Sequence, residues 1–383
     1  MRIAERLTKR LSEVLPKVPD MAQFIRQMLV PGMGIAGQQR LGVARVLVVG
    51  VGGLGSPAAL WLARAGVGTI GLMDHDTVSI SNLHRQILYG PEDLGRLKVD
   101  VAREQILRSQ PQCNVIVMAK KFEAQTEDLS WWDVVIDGTD SMEARITLSK
   151  ACAISLVPMI HASIWRFESQ AMVFYPPYGP CWSCLFGATE RPAQNCNDAG
   201  VLGTVPGMLG LWQAQQAIKL LTSCEPVDFD VLHIWNTSNM SIQSIKTKRR
   251  AECPCCGALS ADNTFCSTST ARVSTQQVEH LSPIAVSTLL RQQDVTVVDV
   301  RSPQEHDFSI AGSLNIPLAD LSENIDSLRG TCASASKIVF VCSTGIRSSL
   351  AASWAQELGI TKAASLHGGL AAWRSLNLPL TTN

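Results

Sequence analysis

Four groups of residues have types and spacings that can do chemistry. The first is Gly50-Val51-Gly52-Gly53-Leu54-Gly55, a G-x-G-x-x-G loop. Glycines at Gly50, Gly52, Gly53 and Gly55 let the backbone turn tightly and approach a phosphate, and a following helix N-terminus favours negative charge. Asp74 lies about 20 residues on, where an acid can take ribose hydroxyls. So far the pattern specifies a nucleotide, and an NAD enzyme would carry it too. Asp74-His75-Asp76, Ser81-Asn82-Leu83-His84-Arg85-Gln86 and Gly95-Arg96-Leu97-Lys98 follow. Arg85 and Lys98 supply cations for a triphosphate and a leaving pyrophosphate, which a redox dinucleotide needs less. Asp140, closing Asp137-Gly138-Thr139-Asp140, offers a hard oxygen for Mg²⁺.

The other three groups are cysteines. Cys181-x-x-Cys184 and Cys253-Pro-Cys255-Cys256 are two close pairs. Thiolates at this spacing clamp one edge of a tetrahedral Zn²⁺, and two pairs close a structural site. A redox pair is the alternative, but neither pair sits where a strand gives way to a helix. Cys196 stands alone in a polar stretch, Gln194–Val201, unlike a buried inert cysteine. Cys342 ends an apolar run, Ile338–Val341, and Arg347 follows as C-x₄-R. A loop of backbone N–H groups beside a helix N-terminus favours the thiolate. A phosphatase needs the wider C-x₅-R, so the shorter loop points to sulfur transfer, with Cys342 and Arg347 as its catalytic pair.

Elements must hold these groups in place. Residues 45–50 read as a buried parallel strand, 56–65 as a helix, 69–73 as a second strand and 133–136 as a third. Helices are expected at 99–109 and 206–221, and late strands at 231–235 and 241–245. A second α/β pattern follows, with strands at 296–300, 338–341 and 363–366 and a helix at 347–358. At roughly 100–200 residues per domain, 383 residues make two to three domains. The boundaries read as a helical extension over 1–21, a nucleotide domain with the zinc site over 22–257, a Ser/Thr-rich linker over 258–275 and a smaller domain over 276–383. The expected fold class is α/β, a Rossmann-like doubly wound sheet with a smaller C-terminal α/β domain.

Composition excludes several classes. Lys+Arg and Asp+Glu both number 33, so a nucleic-acid binder with its basic surplus is not expected. Hydrophobic residues at 46% and charged residues at 17% exclude a disordered chain. No apolar run reaches the ~18 residues of a membrane span, and the N-terminus lacks a signal-peptide core. Ile3, Leu7, Leu11 and Leu15 instead suggest a short amphipathic docking helix. Twelve cysteines without a signal sequence point to a reducing cytoplasm.

Residues 46–86, 95–102 and 137–140, with 26–41 before the first strand, resemble the ubiquitin-activating-like adenylyltransferases of the MoeB/ThiF type. That resemblance covers about residues 22–257. It implies adenylation, with ATP, of the C-terminal carboxylate of a ubiquitin-fold sulfur-carrier protein ending in Gly-Gly. It implies that Asp74, Asn82, Arg85 and Lys98 contact ATP, with Asp76 beside them, and that Asp140 binds Mg²⁺. Arg26 matches an arginine lent to a partner subunit's ATP site, which implies a homodimer. Zn²⁺ is carried over to Cys181, Cys184, Cys253 and Cys256, leaving Cys255 as an extra thiol. Cys196 matches a cysteine that can join the activated carrier covalently.

Residues 276–383 resemble a rhodanese domain through VVDVRSPQEH, AGSLNIPL, VFVCSTGIRS and LHGGLAAWRSLNLPL. This implies a persulfide on Cys342, charged by a sulfur donor such as a cysteine desulfurase or thiosulfate. Phe308-Ser309-Ile310 departs from the Gly-His-Ile of many rhodaneses. The expected product is a thiocarboxylate. Two alternatives are a non-catalytic scaffold for a ubiquitin-fold partner and an NAD-dependent oxidoreductase with a sulfur-binding module. A scaffold needs neither Asp140 nor Cys342, and an oxidoreductase leaves the cationic pair and the cysteine pairs without a role. The pathway served, including molybdopterin or thiamine biosynthesis, is left open.

Overall fold

The structure, a computed structural model, describes residues 3–13, 21–123, 128–176, 178–187, 200–257, 278–321, 323–331 and 335–382. The chain divides into two units, Met1–Pro19 with Ala36–Ser267 and Asp20–Ile35 with Thr268–Asn383.

The first unit is built on an eight-stranded sheet. Its strands are β1 Arg45–Val49, β2 Thr69–Met73, β3 Asn114–Met118, β4 Val134–Asp137, β5 Met159–Trp165, β6 Glu168–Phe174, β7 Val231–Asn236 and β8 Ser241–Lys246. They lie in the order β3-β2-β1-β4-β5-β6-β7-β8. The first five are parallel and the last three continue the sheet antiparallel. Val46–Val49 and Val134–Asp137 are buried throughout, as strands covered on both faces must be. The chain winds outward from β1 to β3, then returns and continues from β4. The reversal between β1 and β4 leaves a crevice at their C-terminal ends, which is where such sheets bind ligands.

The expected N-terminal helix forms over Ile3–Glu13 and buries Ile3 and Leu7. It is held by charge as well. Arg10 donates to both oxygens of Asp133, at 2.7 and 3.0 Å, and to the Val43 carbonyl at 2.7 Å. Arg6 reaches Asp133 at 2.8 Å, and the Arg45 N–H donates to it at 2.9 Å. Asp133 is fully buried, and these donors make that burial tolerable.

The second unit has strands β9 Glu279–Leu281, β10 Val295–Asp299, β11 Phe308–Ser309, β12 Leu314–Asn315, β13 Lys337–Val341, β14 Ala363–Leu366 and β15 Thr381–Thr382. Five form a parallel sheet in the order β12-β10-β13-β14-β9, and β11 pairs with β15. Alternate residues feed two cores, Val298, Ile338 and Phe340 in one and Val297, Val339 and Val341 in the other. Phe24, Met28 and Ile35 join the first of these cores. Residues 22–35, expected to open the nucleotide domain, therefore pack in the second unit. Phe24 and Met28 stand four apart on the helix Met21–Met28, and their apolar stripe is buried with Leu321, Ile325 and Trp354.

Candidate functional site

Gly50 leaves β1 with φ +85°, and the helix Gly55–Arg64 starts after the loop. A Cβ on Gly50 would lie 2.5 Å from the Gly138 carbonyl, and one on Gly55 only 1.9 Å from the Gly50 carbonyl. Gly50 and Gly138 are thus demanded by the packing of β1 against the loop after β4, and Gly55 by the close approach of the helix start to the end of β1. Gly52 differs, because a Cβ there would meet nothing nearer than Gln86 Nε2 at 3.5 Å. A Cβ on Gly53 would lie 3.1 Å from Pro206 and 3.6 Å from Arg85 Cδ. Arg85 and Gln86 therefore flank the glycine loop. Gln86 is buried, and among the described residues its Oε1 has no hydrogen-bond partner.

Asp74, at the end of β2, accepts the Val51 N–H at 2.8 Å and the Asp76 N–H at 2.9 Å. It ties the second strand to the loop after the first. Lys98 is buried and donates to Asp76 at 2.8 Å. Burial works to raise the Asp76 pKa, but the Lys98 hydrogen bond and the charges of Lys98, His75 and Lys121 bring it below the ordinary carboxylate range. Asn82 accepts the Ser79 N–H, and Arg85 donates to the Ser81 carbonyl at 2.8 Å. Asp140 is exposed two residues beyond Gly138. Contacts thus link the Gly50–Gly55 loop to Asp74, Arg85 and, through Asp76, to Lys98; Asn82 lies on the turn just before Arg85, and Asp140 follows the turn that packs on Gly50. Arg26 is exposed on the helix Met21–Met28 and belongs to the second unit.

One network beneath this crevice escaped the sequence reading. Asp137, fully buried, accepts from Thr139 N–H and Oγ1 at 3.0 and 2.6 Å, and from His161 Nδ1 at 2.6 Å. Arg145 Nε lies 3.6 Å away, and Gln213 donates to the Asp137 and Ile160 carbonyls. Burial raises the Asp137 pKa, but His161, Arg145 and Thr139 together pull it below the ordinary value. Burial lowers that of His161, against the opposing pull of Asp137. The network fixes the turn that leads to Asp140. A buried histidine in an apolar stretch was the available signal.

The two cysteine pairs meet, although 72 residues separate them. Cys181 Sγ lies 3.8 Å from Cys184 and 3.6 Å from Cys253, and Cys184 lies 3.4 Å from Cys256. All four are buried, with Sγ atoms within 4.8 Å of one another. A tetrahedral zinc with Zn–S of about 2.3 Å needs edges of about 3.8 Å, so this cluster has the size and chemistry to bind a metal. Burial opposes the Cys253 thiolate, yet the N–H groups of Cys256 and Cys255 hold its pKa at about 7. Cys255 is half-buried beside the cluster. Cys196 and the linker 258–275 lie outside the described residues.

In the second unit β13 delivers Cys342 to a turn and the helix Ile346–Glu357. Its sulfur accepts the Gly345 N–H at 3.1 Å and the Ser348 N–H at 3.4 Å. Ser348 Oγ lies 3.6 Å from it and 2.9 Å from Ser365 Oγ. A Cβ on Gly369 would lie 2.4 Å from the Cys342 carbonyl, so the loop closes tightly on its floor. Such a turn cradles a sulfur anion. Arg347 pairs with Glu305, a partner the sequence reading did not find. Phe308 lies under the guanidiniums of Arg374 and Arg301, at 3.4 and 4.9 Å, which accounts for an aromatic residue at that departure from the motif.

The sequence matches the ThiF family over residues 24–255, more than half of the chain. This chain belongs to the ThiF family. It also carries a rhodanese-like domain over residues 282–376. The "adenylyltransferase and sulfurtransferase uba4" of Aspergillus niger is 34% identical over 92% of this chain and 85% of its own length. The "sulfur carrier protein ThiS adenylyltransferase" of Escherichia coli is 39% identical over 63% of this chain and 98% of its own. A crystal structure of Escherichia coli MccB shares the fold, with a TM-score of 0.55 at 21% identity over 62% of this chain and 74% of that one. ThiF-family membership implies ATP use. No helix among the described residues is long and apolar enough to cross a membrane.

Proposed function

We propose that this enzyme adenylates the C-terminal Gly-Gly carboxylate of a ubiquitin-fold sulfur-carrier protein and then replaces the adenylate with sulfur from Cys342. The observation that carries this reading is Cys342, seated among N–H donors in a loop sized for sulfur, on the same chain as a ThiF-type crevice. The relatives' names, adenylyltransferase and sulfurtransferase, support the pairing. An oxidoreductase or a scaffold gives no role to this combination.

In the first step a carboxylate oxygen attacks the α-phosphorus of ATP. The bond to the bridging oxygen breaks and pyrophosphate leaves with the electron pair. Arg85 and Lys98 offset its charge, Asp74 and Asn82 hold the nucleoside, and the loop from Gly50 to Gly55 admits the phosphates. Asp140 would hold Mg²⁺, which neutralises phosphate charge when bound. In the second step the outer sulfur of a Cys342 persulfide attacks the acyl carbon and AMP leaves, giving an acyl disulfide. Attack by a second thiol on the Cys342 sulfur frees the thiocarboxylate. Cys196 takes that role, or accepts the acyl group earlier. Arg347 borders the sulfur loop. Cys181, Cys184, Cys253 and Cys256 would hold a structural Zn²⁺. Arg26 serves the site of a second copy in a homodimer, and the free cysteines among the described residues suit the cytoplasm.

The test separates the two steps. Cys342→Ala should abolish thiocarboxylate formation, read by intact mass of a Gly-Gly carrier, while ATP–pyrophosphate exchange continues. Asp140→Ala should lose exchange by about 10²-fold or more, as when one electrostatic stabiliser is removed. Exchange that ignores the carrier's Gly-Gly tail, or vanishes with Cys342, would refute the reading.

A further inference from the structure

Arg347 is the one charged residue between Cys342 and Ser348. It is the cation the loop itself brings to an incoming sulfur donor, yet it is already engaged. Its Nη1 and Nη2 donate to the two oxygens of Glu305, each at 2.7 Å, a bidentate pairing across 42 residues. A weaker contact at 3.4 Å goes to Ser343 Oγ. Glu305 is held independently of Arg347. Its Oε2 accepts the Ser302 N–H at 3.2 Å and the Ser302 hydroxyl at 3.0 Å, closing the turn Pro303–Glu305. Arg347 holds the Glu305 carboxyl down to about 2, so the carboxylate stays charged at any working pH.

Two classes of donor make different demands on that rim. With thiosulfate, the Cys342 thiolate attacks the sulfane sulfur, the S–S bond breaks and sulfite leaves with the electron pair. The sulfonate of this dianion needs a cation while the transfer proceeds. With a cysteine-derived persulfide, the thiolate attacks the outer sulfur, the S–S bond breaks and the donor's thiolate leaves. No sulfonate has to be held. Neither transfer needs an outside oxidant or reductant.

We propose that Glu305 sets the donor specificity of the Cys342 loop: by engaging Arg347 with both oxygens it withholds the loop's cation from thiosulfate and favours a persulfide carried on a cysteine thiol. This rests on the reading of Cys342 as the sulfur carrier. Glu305 touches neither the sulfur nor the donor and acts through Arg347.

The experiment uses the full chain, with thiosulfate or glutathione persulfide as donor and cyanide as acceptor. Glu305→Gln should raise kcat/KM for thiosulfate about tenfold, mostly through KM, a size set by one freed charge near a half-exposed site. Activity with glutathione persulfide should stay within about twofold, which also shows that the variant is folded. Adding Arg347→Gln to Glu305→Gln should erase the gain. An unchanged donor ratio in Glu305→Gln, or a gain that survives the second substitution, overturns the proposal. Absence of thiocyanate from the unmodified chain with both donors overturns the carrier role of Cys342 and the proposal with it.

Discussion

At the scale of residues, buried and solvent-near charges obey different rules. Around Asp133 and Asp137 carboxylates are buried and must be met by several donors each. Arg10→Ala removes the two-pronged partner of Asp133 but leaves Arg6 and the Arg45 N–H, so it should cost about 1–2 kcal/mol, below the 3–5 of a pair left with no partner. Denaturant unfolding checks this. Asp133→Ala in the same assay should cost more, because it leaves Arg10 without the anion it faces. The Glu305–Arg347 pair lies near solvent, where screening keeps its worth small. Its pH dependence still has a definite sign. The carboxyl is ordinarily near 4.3 in an unfolded chain and about 2 here, so its stabilisation is complete above ~4.3 and is lost as pH falls through about 2. The difference in melting temperature between the native chain and Glu305→Gln should therefore be present at pH 6 and vanish near pH 2.

At the scale of elements, the glycine loop divides into glycines that the packing requires and one, Gly52, beside which there is room for a side chain. Gly55→Ala forces a Cβ to within 1.9 Å of a backbone carbonyl and should destabilise by ~3 kcal/mol or more. Gly52→Ala meets only ordinary contact, so it should fold with a near-native melting temperature and lose ATP affinity. Calorimetry on both, with and without ATP, separates the two effects. The same loop was plainly legible in the sequence, since an apolar β-branched run ending in glycines has few other meanings. The cysteine that follows β13 was legible for the same reason. The β5–β6 hairpin was not. His161 and Ser163 interrupt its apolar run, and nothing nearby in sequence shows that Asp137 satisfies the histidine. Glu305 was missed for a related reason, because its partner is 42 residues away and only the folded turns bring them together.

At the scale of the whole molecule, contacts join segments that are far apart in the chain. Cys181 and Cys253 meet only because the first unit folds around them, so a metal bound there would join two distant segments. Cys184→Ser, or zinc removal by a chelator, should lower the melting temperature of the first unit by at least several degrees, since the binding energy of a structural metal is also folding energy. Metal analysis should find one zinc per chain before treatment. The helix Met21–Met28 crosses the expected boundary most clearly, because it sits in the core of the second unit while the rest of that unit begins near residue 268. During synthesis on the ribosome, Phe24, Met28 and Ile35 emerge early, yet Ile325, Trp354 and Ala363, which share their core, are translated at the end. That apolar helix must wait through nearly the whole elongation, exposed or held by a chaperone. A fragment of residues 276–383 made alone would lack part of its core, and a synthetic peptide of residues 20–35 added in trans should raise its melting temperature.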